Sequence, residues 1–259
     1  MKTVLITGAS TGIGYEIARC FAQDGYTLFL VARENERLAS AAHELGQTYN
    51  VHVIPFAQDL SEENAAIHIM KEIANQGLSI DVLVNNAGFG SYGPFAETQR
   101  KEQLDMIQVN VRSLVDLTHH ILPGMIERKH GRILNVASTA AFEPGPYMAT
   151  YFATKAFVLS FSEALQEELR DTSVTVTTLC PGPTVSQFSA RANTERIGLF
   201  RSPMPTGRVA QEGYNGLMRG KTIVIPGWKN RLLIHLLRVT PRFMVVRLVK
   251  RILQPITPR

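Results

Sequence analysis

Cysteine is scarce in this chain. Its 259 residues include only Cys20 and Cys180, which lie far apart and lack the short spacing of a CxxC or metal-ligand motif. Such usage excludes a disulfide framework and favours a reducing compartment inside the cell. We therefore expect two packed thiols in a cytoplasmic protein.

Clustered metal ligands are also lacking. The seven histidines are scattered along the chain. The adjacent pair His119 and His120 cannot share a helical face as zinc ligands at positions i and i+4 do. The sequence predicts no metal site.

Long apolar runs are missing at both ends of the chain. The N-terminal MKTVLITGAS has too short an apolar run for a secretory leader and continues into a glycine loop, so we predict a first strand there. Near the C-terminus, neither WKNRLLIHLLRV nor PRFMVVRLVKRIL reaches the roughly 20 uninterrupted apolar residues of a transmembrane helix.

Acidic residues are absent from the C-terminal tail. From Arg219 to Arg259 there are ten Lys or Arg and no Asp or Glu, which leaves 17 basic and 22 acidic side chains in residues 1–218. The segment opened by Thr240 and Pro241 is predicted to be an amphipathic helix, with basic and apolar side chains on opposite sides. The basic side holds Arg247, Lys250 and Arg251, and the apolar side holds Met244, Val245, Leu248, Val249 and Ile252.

Two interpretations of this tail stay open. A basic amphipathic helix can lie on an anionic membrane surface, or it can pack its apolar stripe on the domain or on a second subunit. A nucleic-acid role is disfavoured, because leucine and valine dominate the tail and the interleaved aromatic residues of a stacking surface are missing.

The body of the chain alternates between two patterns. Short apolar runs are typical of strands buried on both faces of a parallel sheet, and seven are present: TVLI, TLFLV, VHVIPF, IDVLV, GRILNVA, VTVTTL and TIVIP. Amphipathic stretches separate them, and YEIARCFAQDG and NERLASAAHELG end in glycine as helices often do.

This alternation predicts an α/β fold of the Rossmann-like, doubly wound type. We expect a mainly seven-stranded parallel sheet with helices on both faces and ligands at the carboxyl ends of the strands. No linker divides residues 1–226. We therefore expect a catalytic domain over residues 1–226 and a basic amphipathic helical extension over residues 227–259.

A glycine-rich turn joins the first strand to the first helix in TVLITGASTGIGYEIA. Glycine allows the backbone to turn tightly and to approach a pyrophosphate, while the helix N-terminus offers free N–H groups. We predict that this turn binds a dinucleotide through Gly8, Ser10, Gly12, Ile13 and Gly14.

Arg33 occupies the position, in LFLVARENERL, where an acid would bind the adenosine ribose of NAD(H). A guanidinium suits a 2′-phosphate because its planar fork donates two hydrogen bonds to the dianion. Arg33 therefore favours NADP(H). The alternative is a surface arginine paired with Glu34 or Glu36.

The TGxxxGxG turn together with NNAG at residues 85–88 resembles the single-domain short-chain dehydrogenases/reductases. The resemblance implies that Asn86, Ala87 and Gly88 shape a loop beside the adenosine part of the cofactor. It also implies that Asp59, with Leu60 beside it, holds the adenine. NNAG as a simple turn and Asp59 as the cap of a helix beginning near Ser61 are the alternatives.

The same resemblance extends to Asn110, to Ser138, to the Tyr151-xxx-Lys155 pair and to Pro181-Gly182, so it spans residues 3 to about 226. It implies that Asn110 bends its helix and holds a water linked to Lys155. It also implies that Lys155 binds the nicotinamide ribose. Thr184 and Ser186 are both candidates for the nicotinamide carboxamide, and we select Thr184.

Reduction of a carbonyl requires a proton donor aimed at the oxygen that gains negative charge. Tyr151 is the predicted donor and Ser138 a hydrogen-bond donor to the substrate oxygen. Lys155 lies one helical turn from Tyr151, so its charge is expected to lower the pKa of the phenol from about 10.

The predicted reaction is NADP(H)-dependent carbonyl/alcohol interconversion on a hydrophobic substrate of the 3-ketoacyl, steroid-like or another lipophilic ketone or aldehyde class. Related enoyl reductases use a longer Tyr-to-Lys spacing, which disfavours C=C reduction. A non-catalytic NADPH sensor or membrane-surface scaffold is the alternative function. Similarity to the family implies a homodimer or homotetramer.

Loops beyond the strand ends are expected to form an apolar substrate pocket. The segment from Phe188 to Pro205 is predicted to be a lid over it. The predicted pocket side chains are Phe89, Phe95, Phe142, Met148, Phe188 and Phe200.

Overall fold

The computed structural model describes residues 2–185 and 203–254. Each of the seven apolar runs contains one strand, and all the strands are parallel, which confirms the predicted α/β sheet. The strands are β1 Thr3–Thr7, β2 Thr27–Ala32, β3 Val53–Ala57, β4 Val82–Asn85, β5 Gly131–Val136, β6 Val174–Leu179 and β7 Ile223–Val224.

Helices connect successive strands and cover both faces of the sheet. Among the described residues, seven belong to the body: α1 Gly12–Gln23, α2 Asn35–Tyr49, α3 Ala65–Asn75, α4 Arg100–Ile107, α5 Ser113–Glu127, α6 Ala149–Glu168 and α7 Thr206–Met218. Two more follow β7 at the C-terminus, α8 Trp228–Val239 and α9 Arg242–Leu253, and they match the two predicted tail segments.

The strand order β3-β2-β1-β4-β5-β6-β7 places β1 at the point where the chain reverses its direction of winding. Val4 to Ile6 of β1 pair with β2 on one side and with β4 on the other. A crevice forms outside the carboxyl ends of two strands whose connections leave in opposite directions, and ligands of such sheets bind there.

The core lies on both sides of the sheet because successive strand residues point to opposite faces. Val4 and Ile6 pack with α1, α2 and α7, whereas Leu5 packs with α3 and α5, and all three are fully buried. Burial of such a side chain stabilises the fold by roughly 1.5–3 kcal/mol. Cys20 and Cys180 are both buried free thiols, as predicted.

One predicted helix end was wrong. The sequence suggested that α2 stops at Gly46, but the helix continues to Tyr49 and ends at Asn50, which takes a left-handed conformation with φ of 52°. The extra turn places Tyr49 against the core on the α1 side of the sheet. Asparagine tolerates the left-handed region better than other side chains, so it can replace glycine at this terminus.

The C-terminal helices pack back onto the body, in agreement with the packing interpretation for one side of α9. Val245, Val249 and Leu253 are buried in a cluster with Met148, Phe152 and other residues beside α6. Met244, Leu248 and Ile252, from the same predicted apolar side, remain exposed. Within residues 2–185 and 203–254, no helix is long and apolar enough to cross a membrane.

Candidate active site

A cavity of about 510 Å³ opens at the carboxyl ends of the strands. Segments that follow β1 to β6 all contribute to its wall, so it runs across the switch point between β1 and β4. The cavity contains nearly all of the predicted site residues: Gly8, Ser10, Gly12, Ile13, Arg33, Asp59, Leu60, Asn86, Ala87, Gly88, Ser138, Tyr151, Lys155, Pro181, Gly182 and Thr184. Gly14 and Asn110 lie behind this wall.

The glycine turn has the geometry of an anion-binding loop. Gly8 and Gly12 have φ of 65° and 63°, a region that side chains with a Cβ rarely adopt, and α1 begins at Gly12. A Cβ on Gly14 would lie 2.3 Å from the carbonyl oxygen of Gly8, so only glycine allows the helix to sit this close to the turn. Free N–H groups at the start of α1 therefore face the cavity and suit a pyrophosphate.

The NNAG segment is more than a turn, because Asn86 holds the glycine loop. Its Nδ2 donates to the carbonyl oxygens of Thr7 at 2.9 Å and Gly8 at 3.1 Å. The backbone N–H groups of Asn86 and Ala87 both donate to Oγ1 of Thr7 at 3.0 Å. These contacts tie the ends of β1 and β4 together beneath the cavity.

Arg33 follows β2 and lines the cavity with an exposed side chain. Glu34 forms its ion pair with Arg37 at 3.0 Å. No carboxylate of the described chain lies within ion-pair distance of Arg33, so the predicted alternative of pairing with Glu34 or Glu36 is not what the structure shows. The guanidinium is available to an anionic ligand.

Asp59 follows β3 and lines the same end of the cavity, as does the buried Leu60. One carboxylate oxygen, Oδ1, accepts a hydrogen bond of 2.9 Å from the N–H of Ser61. The carboxylate therefore both stabilises the turn after β3 and borders the cavity. It does not cap a helix beginning near Ser61, because α3 begins at Ala65.

Tyr151 and Lys155 lie on the buried side of α6, one turn apart. The Tyr151 hydroxyl lies near the side chain of Ser138, which follows β5. Lys155 donates from Nζ to the carbonyl oxygen of Val136 at 2.8 Å, and Nζ lies 5.9 Å from the centroid of the Tyr151 ring. The phenol, the hydroxyl and the ammonium thus share one corner of the cavity.

The expected lowering of the phenol pKa by Lys155 was wrong. Burial raises the pKa of Tyr151 to about 12, and only the neighbouring Ser138 side chain acts in the opposite direction. Burial also lowers the pKa of Lys155 to about 8. Removal from water disfavours the charged form of each group, and this effect dominates here. Near pH 7 the phenol is neutral and the amine is mostly protonated.

Asn110 lies in a π-helical segment, Gln108–Arg112, between α4 and α5, so the helix is interrupted at this residue. Its side-chain amide accepts from Phe89 N and donates to Phe89 O, both at 3.0 Å, and it donates to Thr154 Oγ1 at 3.1 Å. A Cβ on Gly88 would lie 3.0 Å from Asn110 Oδ1 and 3.3 Å from Lys155 Nζ. Asn110 therefore fixes the loop after β4 against α6.

Pro181, Gly182 and Thr184 follow β6 and border the same corner. Thr184 donates from Oγ1 to the carbonyl oxygen of Gly182 at 2.9 Å. Ser186 lies outside the described residues, so the choice between Thr184 and Ser186 stays a prediction.

The predicted apolar pocket is partly correct. Phe89 and Met148 line the cavity, whereas Phe95 is 67% exposed and Phe142 packs elsewhere, beside Leu114 and Val158. Phe188, Phe200 and the lid segment from residue 188 to residue 202 lie outside the described residues.

The cavity residues that the sequence reasoning missed include Glu143, Phe152 and Leu253. Glu143 belongs to the loop between β5 and α6, and burial raises the pKa of its carboxyl to about 7. Leu253 carries no signal in the sequence, because it reaches the cavity only through the packing of α9.

The residues present fit a phosphorylated dinucleotide. One end of the cavity offers the guanidinium of Arg33 and the carboxylate of Asp59, and the other end offers Lys155. The middle offers the N-terminus of α1, which lies close to the glycine turn because Gly14 has no Cβ. In the part of the chain that is described, no group of three or more His, Cys, Asp or Glu side chains is arranged to hold a metal ion.

Comparison with known proteins agrees with this geometry. A family model described as short chain dehydrogenase matches residues 2–197. The chain is 40% identical over 187 residues to a very-long-chain 3-oxoacyl-CoA reductase of Laccaria bicolor, covering 71% of this chain and 55% of that protein. It is 38% identical over 180 residues to the NADP-dependent 3-hydroxy acid dehydrogenase YdfG of Salmonella typhi, covering 69% and 71%.

A solved short-chain dehydrogenase from Sphingobium yanoikuyae in complex with NADPH has the same fold. Its TM-score is 0.82 at 29% identity, and the match covers 93% of this chain and 97% of that one. The match to the Laccaria reductase, in contrast, covers only about half of that protein's length.

Proposed function

Because the chain belongs to the short-chain dehydrogenase family, we propose that this oxidoreductase uses NADP(H) to interconvert a carbonyl and a secondary alcohol on a lipophilic substrate. The observation that carries the proposal is that Tyr151, Ser138 and Lys155 line one corner of a cavity that continues into the glycine turn.

The catalytic roles that we propose follow from the chemistry of these side chains. The dinucleotide, when bound, supplies or accepts the hydride. Tyr151 is neutral near pH 7 and gives its proton to the carbonyl oxygen, while Ser138 donates a hydrogen bond to the same oxygen. Lys155 holds a positive charge next to the phenol and so stabilises the phenolate that remains after the proton has been given.

NADP(H) is the proposed cofactor because of Arg33. Its guanidinium lines the cavity where the second strand ends, without a carboxylate partner among the described residues. A 2′-phosphate would meet a bidentate donor there, and a ribose diol would find no acid at that position. The relative named as NADP-dependent and the NADPH complex of the structural neighbour support this choice.

The proposed substrate is lipophilic, because Phe89, Met148, Phe152 and Leu253 border the end of the cavity near Tyr151. One relative is named as a reductase of very-long-chain 3-oxoacyl-CoA and another as a dehydrogenase of 3-hydroxy acids. A 3-oxoacyl compound is therefore the first candidate, with steroid-like and other lipophilic ketones or aldehydes next.

We further propose that residues 1–226 are the catalytic domain and that residues 227–259 are an extension. Through Leu253, this extension contributes to the wall of the cavity at the end where the substrate would bind. The proposed place of action is the cytoplasm, with peripheral contact to anionic membrane through the extension. The exposed Leu104, Ile107 and Phe157 on α4 and α6 offer an apolar surface for a homodimer or homotetramer.

The test is oxidation of NADPH, followed by nicotinamide absorbance, against 3-ketoacyl thioesters, ketosteroids, hydrophobic ketones and aldehydes, with NADH in parallel. We expect turnover of at least one lipophilic carbonyl with NADPH preferred. NADPH binding without turnover of any member would instead favour the non-catalytic sensor or scaffold, and preference for NADH would overturn the role of Arg33.

A further inference from the structure

The two C-terminal helices expose an unusual amount of apolar surface. Sixteen large apolar side chains are exposed in the described chain, and the following nine belong to α8 and α9: Trp228, Leu232, Leu233, Leu236, Val239, Phe243, Met244, Leu248 and Ile252. Scattered exposed apolar residues are ordinary, but a contiguous group marks an interaction surface.

These exposed residues form stripes on the outer sides of the helices. In α8, Trp228, Leu232, Leu236 and Val239 follow one another at spacings of three or four residues and so share a face. In α9, Met244, Leu248 and Ile252 do the same. We call these seven residues the outer stripe.

The inner sides of the same helices are already occupied. Ile234 of α8 is buried, and Val245, Val249 and Leu253 of α9 pack on the body. Packing of the extension on the domain therefore accounts for one side of each helix and leaves the outer stripe unexplained.

Positive charge lies beside the outer stripe and is mostly not neutralised by the residues that the structure describes. Arg231 is held to the body by Glu212 at 3.4 Å and by the carbonyl oxygen of Ile225 at 2.8 Å. The other cations of the two helices have no carboxylate within ion-pair distance among the described residues: Lys229, Arg238, Arg242, Arg247, Lys250 and Arg251.

This charge decides which partner fits the surface. A symmetric contact with a second copy would place the same six cations against each other, since the two halves of a twofold interface are identical. Nucleic acid would satisfy the cations, but Trp228 is the one aromatic residue of the outer stripe, which is too few for a surface on which successive bases stack. An anionic bilayer satisfies both features, because phosphates meet the cations while the apolar residues enter the boundary with the acyl chains.

We propose that the outer stripe and its cations dock this protein on the surface of an anionic lipid bilayer. Docking there would bring the substrate cavity close to the lipid. Leu253, the last residue of α9, lines the cavity, and its carbonyl oxygen accepts a hydrogen bond of 2.6 Å from the Tyr92 hydroxyl. A ketone dissolved in the membrane would thus reach a cavity whose wall is the docked helix. Delivery of a ketone from the membrane to the cavity rests on the proposed function, whereas docking does not.

The experiment is flotation of the full-length protein with vesicles of phosphatidylcholine alone or mixed equally with phosphatidylglycerol. We expect at least about tenfold stronger partition to the anionic vesicles. The variant Leu232→Gln/Leu236→Gln/Leu248→Gln keeps every charge and should lose about tenfold or more of this partition. The matched control Ile67→Gln/Ile126→Gln alters equally exposed apolar residues on the body and should change nothing.

A charge variant completes the test. Lys229→Gln/Arg247→Gln/Lys250→Gln retains the outer stripe and should weaken binding to anionic vesicles at low salt by about tenfold or more. Circular dichroism of each variant establishes that the fold is intact.

Three results would overturn docking. One is equal partition of the wild type and the stripe variant. Another is a change in solution mass, measured by light scattering, when the stripe is altered, which would identify the surface as an interface between copies. The third is cation-dependent binding to duplex DNA or RNA without preference for anionic vesicles.

Delivery of substrate is tested separately from docking. With NADPH, the stripe variant should show a severalfold higher apparent KM for a ketone dissolved in anionic vesicles and an unchanged KM for a water-soluble ketone. Absence of turnover with both ketones would contradict the proposed function but not the docking surface, and equal KM values for the vesicle-dissolved ketone would overturn delivery.

Discussion

The hydroxyl of Tyr92 donates a hydrogen bond of 2.6 Å to the carbonyl oxygen of Leu253, so the end of the chain is attached to the loop that follows β4. Tyr92 lies three residues after Phe89, whose backbone is held by Asn110. The tail is therefore part of the wall of the active-site cavity, and changes in it should alter substrate choice as well as stability.

Leu253→Ala tests this role of the tail. Leu253 is 1% exposed, and removing a buried Leu side chain costs about 2–5 kcal/mol of unfolding free energy because a cavity remains. The wider pocket should shift the kcat/KM ratio severalfold towards bulkier ketones. Urea unfolding and the substrate panel measure the two effects. Ile252→Ala, at a residue that is 41% exposed, should change neither quantity appreciably.

Tyr151→Phe should lower turnover by about 10²–10⁴-fold, because positioned proton transfer contributes that much to catalysis. The affinity for NADPH, measured by fluorescence titration, should stay within about twofold. Tyr147→Phe removes a phenol that packs in the same apolar cluster and should retain activity. Normal turnover by the Tyr151 variant would remove this residue from the mechanism.

Arg33→Ser should raise the KM for NADPH by about tenfold to a hundredfold, since a hydrogen bond to a charged group contributes about 1.5–3 kcal/mol. The KM for NADH should change little. Arg37→Gln is the comparison variant, because the Arg37 guanidinium pairs with Glu34 at 3.0 Å. A large effect of Arg37→Gln and none of Arg33→Ser would place recognition of the phosphate at Arg37.

The pH dependence of reduction should report Lys155. Its pKa is lowered to about 8, whereas the phenol of Tyr151, with a pKa of about 12, keeps its proton throughout the neutral range. We expect kcat/KM for reduction to be level near pH 7 and to fall as pH rises through about 8. Glu143→Gln should leave this fall in place. A level profile up to about pH 10 would contradict the role of Lys155.

Glu143 should make stability depend on pH. Burial raises the pKa of this carboxyl to about 7 in the folded protein, above its usual value of 4.5. The favourable contribution of the protonated carboxyl to the unfolding free energy is therefore fully present below about pH 4.5 and is lost as pH rises through about 7. Compared with the wild type, Glu143→Gln should have an unfolding free energy about 1–2 kcal/mol higher at pH 8 and the same near pH 4. Urea unfolding at the two pH values measures this difference. Glu97→Gln, at an exposed residue, should show no such difference.

Much of the site could be predicted because its motifs are local. The glycine turn requires positive φ at Gly8 and Gly12, and that demand is visible in the residue type itself. The spacing of Tyr151 and Lys155 on one helix already places both groups at one corner. Arg33 follows its strand directly, so its location at the sheet edge follows from the strand alone.

Other features could not be predicted, since they depend on neighbours distant in the sequence. The helical wheel of α9 identified an apolar side but could not divide it into Val245 and Val249, which face the body, and Met244 and Leu248, which do not. Phe95 was placed in the pocket from its loop alone, although the loop turns the side chain outwards.

The sequence by itself determined the order of strands and helices and the glycine turn, because periodicity and backbone demands act over a few residues. Only the tertiary structure decided the protonation of the site. Packing from α6, β5 and β6 excludes water around Tyr151 and Lys155, and this desolvation disfavours the charged form of each group. Tertiary packing likewise joined Leu253 to the cavity, because a contact across 161 residues arises only when the whole chain has folded.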